Sequence, residues 1–356
     1  MIKRRKTRII RVGKISIGGD FPIAIQGMSK TQTEDISCTI NEMKELKEAG
    51  CELIRLAVKT EEAVACIRKI KEKIDTPLVA DIHFDYRLAL SSIENGIDKI
   101  RINPGNINSK RRLIEIIDKA KEARIPIRIG INSGSVPFKY INSKDGVRRL
   151  VDFTLKYIRL FEDNNFYDIV ISIKTPDIIS TIEANRLIAK KINYPLHIGV
   201  TATGVQEEAV VKSAIGIGTL LNEGIGDTIR VSLTSSSVKE VIIAKAILEA
   251  LNIRRFSPEV ISCPTCGRCQ VNLISIAKDI KGILEERSKK DRRLLSLKIA
   301  IMGCEVNGPG EARLVDIGVA CGKRYTSLFK RGKVIRRIKT QKIKEELLKE
   351  IDNVLV

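Results

Sequence analysis

The 356-residue sequence has no tryptophan and an aromatic share of only 4%. Proteins that hold single strands stack bases on aromatic side chains, so a platform of that kind is excluded. No segment approaches the ~20 uninterrupted apolar residues of a membrane-spanning helix. The basic start, "MIKRRKTRIIRVGK", has no apolar run of signal-peptide length. These absences lead to the expectation of a cytoplasmic protein with neither a membrane nor a nucleic-acid partner. Acidic residues are in deficit, 43 against 63 Lys and Arg, for a net charge of +20. Such an excess serves either a nucleic-acid surface or a site for a small, highly anionic ligand on a basic exterior. Mixed-sign helical runs such as "KIKEELLKEI" (342–351) read as solvated faces and do not choose between them.

The chain is long enough for one large domain and a smaller one. Short β-rich runs recur at 22–28, 52–58, 77–83, 99–105, 126–132, 168–174, 195–201 and 228–233. Amphipathic stretches of helical period lie between them, as in "INEMKELKEAG" and "RLIEIIDKAKEAR". Eight alternations over about 250 residues read as a (β/α)8 TIM barrel, assigned to residues 1–254. A doubly wound open sheet is the competing arrangement, but no Gly-x-Gly-x-x-Gly opens a helix after a strand.

A TIM barrel carries its chemistry where the strands end. Those ends read Arg55; Asp81 and His83; Arg101 and Asn103; Arg128 and Asn132; Lys174; His197 and Thr201; Arg230 and Ser232. One isolated Arg could point outward and snorkel between barrel and helix. Four at matching positions, with Lys174, instead predict a cationic mouth. Such a mouth is self-repelling unless an anion fills it, and guanidinium pairs best with phosphate oxygens. The inference is a compact substrate with at least two phosphates.

After the eighth unit the periodicity restarts, with a helix at about 270–288, strands at 297–303 and 315–320, a basic hairpin near 328–338 and a final helix. We read residues 255–356 as a small α+β domain. Two of its loops stand out: "CPTCGRCQ" (263–270) and "GCEVNGPGEA" (303–312). Cysteines two residues apart on a turn can share one metal or cluster. The common zinc ribbon needs a second such pair, and none is present. Three close cysteines plus a distant one suit a 4Fe-4S cluster. Two ligand sets remain open on this reasoning. One is Cys263, Cys266, Cys269 and Cys304; the other is Cys263, Cys266 and Cys304 with an oxygen from Glu311. Cys38, Cys51 and Cys66 are expected to be buried in helices, and Cys321 at the end of a strand.

The stretches "VADIHFDYRLAL", "RINPGNI", "PIRIGIN", "KSAIGIG", "LLNEGIGDTIRVSL", "ISCPTCGR" and "GCEVNGPGEA" resemble the motifs of the bacterial 4-hydroxy-3-methylbut-2-en-1-yl diphosphate synthases. The resemblance runs from about residue 7 to about residue 330. It implies a TIM barrel followed by an α+β iron–sulfur domain. It also implies reductive ring opening and dehydroxylation of 2-C-methyl-D-erythritol 2,4-cyclodiphosphate in non-mevalonate isoprenoid biosynthesis. The two electrons would come from ferredoxin or flavodoxin. By that resemblance the 4Fe-4S ligands are Cys263, Cys266, Cys304 and Glu311. Substrate-binding positions are Arg55, Arg101, Asn103, Arg128, Asn132, Lys174, Thr201, Arg230 and Ser232, with Asp81, His83 and Glu311 as catalytic positions. Two chains would pair as a homodimer, the cluster domain of one capping the barrel mouth of the other.

There are two departures from the family pattern. "HIGVTATG" carries Ala202 where the family usually has Glu, leaving His83, water or Glu207 as proton donors. Cys269 stands where many relatives have another residue and is expected to be a bystander. Two other functions compete. A radical S-adenosylmethionine barrel would need Cys-x3-Cys-x2-Cys after an early strand, a spacing absent here. A basic nucleic-acid-binding protein with a zinc module rests only on charge and the cysteine cluster.

Overall fold

The computed structural model describes residues 2–107, 109–132, 145–201, 204–305 and 315–355. The chain divides into two compact units, Met1–Arg254 and Arg255–Val356. In the first, a hairpin of β1 (Ile10–Val12) and β2 (Ile15–Ile17) precedes eight parallel strands. These are β3 (Ala24–Met28), β4 (Leu53–Ala57), β5 (Leu78–Ile82), β6 (Lys99–Ile102), β7 (Ile127–Asn132), β8 (Ile169–Lys174), β9 (His197–Ile198) and β10 (Thr228–Ile229). The sheet order is β8-β7-β6-β5-β4-β3-β10-β9. A parallel bridge between Ile171 and Leu196 closes it, with Ile171 N donating to Pro195 O at 2.9 Å. The fold is therefore a closed eight-stranded barrel.

Among the described residues, eight helices alternate with these strands: α1 (Ile36–Ala49), α2 (Glu61–Lys71), α3 (Tyr86–Glu94), α4 (Lys110–Ala123), α5 (Gly146–Asp163), α6 (Ile178–Ala189), α7 (Gln206–Asn222) and α8 (Ser237–Ala250). The sequence starts most of them with an oxygen-bearing cap. Asp35, Thr60, Asp85, Ser109, Asp177 and Ser236 each accept a backbone N–H of the helix they precede. Short strand-to-helix loops ending in such caps hold the strand ends in place.

Period-two alternation sorts the strand residues into two faces. Ile100, Ile102, Ile127, Ile129, Ile131, Ile169, Ile171 and Ile173 are fully buried and share the parity that faces the helices. The other parity faces the barrel axis. At its lower end Ala24, Leu53, Val79 and Val170 meet Ile10, Val12 and Ile17 of the hairpin in one apolar cluster. The hairpin thus plugs the end opposite the strand termini. Arg5, donating to the carbonyls of Ala189, Ile192 and Tyr194, and Arg4, paired with Asp227 at 3.0 Å, tie the preceding segment down.

The second unit has a five-stranded sheet, β11 (Glu259–Ser262), β12 (Lys298–Met302), β13 (Ile317–Ala320), β14 (Tyr325–Lys330) and β15 (Lys333–Lys339), in that order. The first three strands are parallel and the last two antiparallel, as a hairpin demands. Helices α9 (Leu273–Lys290) and α10 (Ile343–Leu355) contribute Leu273, Ile280, Leu284, Ile343, Leu347 and Ile351 to a core with Ile299, Ile301, Ile317 and Val319.

Three cysteine expectations need correction. Cys38 lies in α1 but is exposed, because the buried stripe of that helix is Thr39, Met43 and Leu46. Cys66 on α2 is only half-buried, off the stripe of Ala63, Val64, Ile67 and Ile70. Cys51 is buried, but it lies just past α1, where Gly27 N donates to its Sγ at 3.0 Å.

Candidate active site

Above the apolar plug, the axis-facing parity turns polar on all eight strands. It carries Gln26, Arg55, Asp81, Lys99 with Arg101, Arg128, Ser172 with Lys174, His197 and Thr228. The ladder register places Asp81 beside Arg101, Arg101 beside Arg128, and Asn132 beside Lys174. Arg128 is 2% exposed, Arg101 4% and Lys174 6%. They point into the barrel and do not snorkel outward.

Asp81 organises one side. Its Oδ1 meets Arg101 Nη1 at 3.0 Å, while Oδ2 lies 3.6 Å from Arg55 Nε and 3.4 Å from His83 Nε2. Burial alone would raise the Asp81 pKa. Arg55, the bond to His83, Arg101 and Arg128 outweigh it and hold the carboxyl well below its usual range. Arg101 also donates to Gly130 O at 3.3 Å. A Cβ on residue 130 would stand 2.7 Å from Arg101 Nε, so the glycine makes room for that guanidinium.

The opposite side is anchored by Glu240, a residue of the first turn of α8. It accepts from Lys30 Nζ at 3.0 Å and from Leu233 N at 2.9 Å, and stands 3.5 Å from Arg230 Nη2. Glu42 of α1 accepts from Ser29, Thr31 and Ser237, joining the loops that follow β3 and β10. Gln26 accepts from Arg128 Nη1 at 3.0 Å. Thr201 donates to Thr175 O at 3.1 Å, and Asn103 caps its own turn by accepting from Gly105 N. Asn132 ends β7, and Ser232 follows Arg230 on the same parity.

These bonds leave much unsatisfied. Among the described residues, Arg101 Nε, Arg128 Nε, Arg230 Nε, Gln26 Nε2 and Lys99 Nζ are buried without a hydrogen-bond partner. Each such orphan costs about 1–3 kcal/mol until something accepts from it. Burial, with Arg55, Arg101 and Arg230 nearby, presses the Arg128 pKa well down. Burial, then Arg128, Arg230, Arg55 and Arg101, does the same to Lys174. Arg55 falls to about 9 through burial, offset in part by Asp81. A cluster of buried, mutually repelling donors has the electrostatics of a polyanion site.

Sequence reading missed Gln26, Lys30, Lys99, Glu42 and Glu240. Lys99 was legible, since it shares the parity of Arg101 in "KIRINPG". Glu42 and Glu240 carried no local signal, because besides its neighbouring loop each reaches a partner about 200 residues away, Ser237 for Glu42 and Lys30 for Glu240.

In the second unit, β11, β12 and β13 are parallel neighbours and each runs into a cysteine, Cys263, Cys304 and Cys321. Cys263 Sγ accepts from Gly303 N at 3.3 Å, and Gln270 N donates to Gly303 O at 3.0 Å, so the two loops are stitched together. Cys266 is exposed. Cys269 is half-buried against the domain core, its Sγ donating to Val271 O at 3.3 Å. A Cβ on residue 303 would lie 2.6 Å from that sulfur, so Cys269 packs directly under Gly303. Cys321 is fully buried, and burial pushes its thiol up to about 12, keeping it protonated.

Among the described residues no three Cys, His, Asp or Glu side chains are gathered at metal-binding distance. Glu311, and Ala202 of the barrel, lie outside the described residues. The donor set nevertheless suits an iron–sulfur group. It offers thiols from two neighbouring strand ends and one exposed turn, with a donor at Gly303 N already directed at sulfur.

Comparison with known proteins bears on this arrangement. The family model described as "GcpE TIM-barrel domain" matches residues 7–245, and "GcpE protein C-terminal domain" matches residues 259–353. The chain belongs to the GcpE family. A relative from Caldanaerobacter subterraneus subsp. tengcongensis is 50% identical, covering 100% of this chain and 99% of its own length. One from Clostridium perfringens is 48% identical, covering 99% of this chain and 100% of its own. Both carry the name 4-hydroxy-3-methylbut-2-en-1-yl diphosphate synthase (flavodoxin). The dihydropteroate synthase of Stenotrophomonas maltophilia superposes on 68% of the chain and 98% of its own, with a TM-score of 0.53 at 13% identity. That likeness concerns the barrel fold alone.

Within the GcpE barrel, Arg230→Ala is expected to raise KM for a diphosphate substrate by about ten- to a hundredfold, the range for a hydrogen bond to a charged group. The rate constant should change less. Steady-state kinetics on the iron-loaded protein check this, and an unchanged KM would contradict the cationic-mouth argument.

Proposed function

We propose that this chain catalyses the two-electron reductive ring opening and dehydroxylation of 2-C-methyl-D-erythritol 2,4-cyclodiphosphate to 4-hydroxy-3-methylbut-2-enyl diphosphate. The observation that carries the reading is the buried cationic mouth with its orphan donors, in a chain about half identical to synthases of that name. Arg55, Arg101, Arg128, Lys174 and Arg230 would hold the diphosphate. Asn103, Asn132, Thr201 and Ser232, on the same strand ends, would orient the carbon skeleton and its hydroxyls. Asp81 fixes Arg101 and engages His83 at Nε2, which leaves Nδ1 of this half-exposed ring as the atom to pass a proton to the departing hydroxyl. With Ala202 lacking an ionisable group, His83 is the proton donor that this reading favours over Glu207, which is exposed in the first turn of α7.

Cys263, Cys266 and Cys304, with Glu311, would hold a 4Fe-4S cluster. When bound there, such a cluster supplies electrons and a Lewis-acidic iron, the carboxylate being a ligand that substrate oxygen can replace. Flavodoxin, printed in the relatives' names, is the proposed electron donor. A homodimer in which one chain's second unit caps the other's barrel mouth would exclude water and oxygen from the site. Within the structure, no described helix is long and apolar enough to cross a membrane.

The test is anaerobic purification with metal analysis and light scattering, then turnover of the cyclodiphosphate with a chemical reductant. About four irons and four acid-labile sulfides per chain, a dimer, and product formation are expected. Zinc without iron, or iron-loaded protein that leaves the substrate untouched, would sink the assignment. A monomer would remove the capping arrangement.

A further inference from the structure

Beneath the ring of arginines lies a deeper polar layer that the proposed chemistry does not use. Lys99 on β6 is fully buried, and its Nζ has no hydrogen-bond partner among the described residues. His197 on β9 is equally buried. Its Nδ1 lies 2.8 Å from Thr228 Oγ1, and its Nε2 has no partner. Lys99 and Arg101 share the axis-facing parity of one strand, two residues apart, so Lys99 sits about 6.6 Å below the mouth.

The groups facing this layer are almost all cationic. Arg128 approaches Lys99 from β7, and His197 senses Arg128, Lys174, Lys99 and Arg55. Asp81 on β5, the nearest carboxylate of the described barrel strands, is already engaged by Arg55, His83 and Arg101. Gln26 on β3 is turned to Arg128, and Thr228 on β10 to His197. Among the described residues, an ammonium in that position has neither an acceptor nor a free counter-charge. Burial and Arg128 accordingly hold the Lys99 pKa well below its ordinary value, and burial with the neighbouring cations does the same for His197. Burial without an acceptor therefore disfavours the Lys99 ammonium while the mouth is empty.

We infer that Lys99 is a positioning residue of the anion site, taking up one proton from solvent at Nζ as the cyclic diphosphate enters the mouth. The inference rests on the function proposed above. Each phosphorus of the ring carries a single ionised oxygen, so the ligand is a dianion throughout the neutral range and releases no proton itself. Its two charges reverse the field at Nζ and favour the ammonium. The ammonium in turn adds a cation directly below the phosphates. The chain thereby avoids a permanently charged, unpaired lysine in the empty barrel, yet has the charge when the ligand needs it.

The experiment is calorimetric titration of oxidised, iron-loaded protein with the cyclodiphosphate, without reductant, in two buffers of different protonation heat near pH 8. The wild type is expected to take up at least about one proton per ligand bound, with affinity falling as pH rises toward the ordinary lysine pKa of about 10.4. Lys99→Met should bind on the order of tenfold more weakly, as for loss of one nearby buried cation that does not itself touch the ligand. Its proton uptake should fall by about one proton relative to the wild type, while its iron content and circular dichroism match the wild type. Should Lys99→Met fail to fold, the wild-type proton count still decides. Binding without proton uptake overturns the inference and leaves the function standing. Unaltered uptake in Lys99→Met assigns the proton elsewhere and overturns it as well. Failure of the wild type to bind the cyclodiphosphate in any buffer overturns the function itself.

Discussion

Glu311→Ala is expected to purify with about one iron fewer per cluster and to lose turnover by roughly three orders of magnitude or more. Cys269→Ser is expected to remain brown and active. The contrast separates the two ligand sets that local spacing leaves open. Cys269 is half-buried, donates its thiol to Val271 O at 3.3 Å and packs under Gly303. Serine can keep the hydrogen bond and fits the same gap, so the cost should be a modest loss of packing. A carboxylate ligand has no such substitute. In Glu311→Ala the carboxylate proposed to hold the fourth iron would be absent, with no described side chain to take its place. Iron and sulfide per chain, electron paramagnetic resonance of the reduced protein and turnover read both variants. A bleached Cys269→Ser beside an intact Glu311→Ala would establish the all-thiolate set and remove the argument for a replaceable oxygen ligand.

Asp81→Ala is expected to lower the stability of the ligand-free protein by about 3–5 kcal/mol, the cost of stripping a buried ion pair of one partner. Asp81 is 4% exposed and serves Arg101, Arg55 and His83 together. Its removal leaves the cations of the mouth with Glu240 as their remaining close carboxylate among the described barrel residues. The sign with pH follows from the direction of its shift. The folded carboxyl titrates below the unfolded one, so its contribution is complete above the unfolded pKa of about 3.9 and is lost as pH falls through the lower folded value. Between pH 5 and 8 the deficit of Asp81→Ala should therefore be constant. Pyrophosphate should restore part of it, since an anion in the mouth takes over the role of counter-charge. Thermal unfolding with and without pyrophosphate measures this. A loss under about 1 kcal/mol, or no rescue, would show that the mouth does not depend on Asp81 for charge balance.

The barrel was legible because eight β-rich runs alternate with amphipathic helices, and because caps such as Asp35, Thr60 and Asp177 stand where each helix begins. Strand lengths were less so. The runs at 195–201 and 228–233 shrink to His197–Ile198 and Thr228–Ile229, since beyond them the backbone leaves the ladder, Arg230 N still reaching Ile198 O at 3.1 Å. The mouth cations were readable from charge at unexpected places in apolar strands. The carboxylates Glu42 and Glu240 were not, as the Glu42–Ser237 bond and the Glu240–Lys30 pair form only after closure brings β10 beside β3.

The sequence by itself determined the kind of site this protein has. Arginines at matching places in parallel strands face one way by period two alone, and that parity decides between a mouth and an outer wall. It also placed four cysteines in two loops, with Glu305 and Glu311 following Cys304 in the second. Only the tertiary structure decided which charges are balanced and which are not. Among the described residues, Asp81 holds two arginines and a histidine, Glu240 holds Lys30 and Arg230, and Lys99 Nζ has no hydrogen-bond partner. Pairing of that kind depends on distances across a closed barrel, set by strand order and stagger, and no local pattern along the chain encodes them.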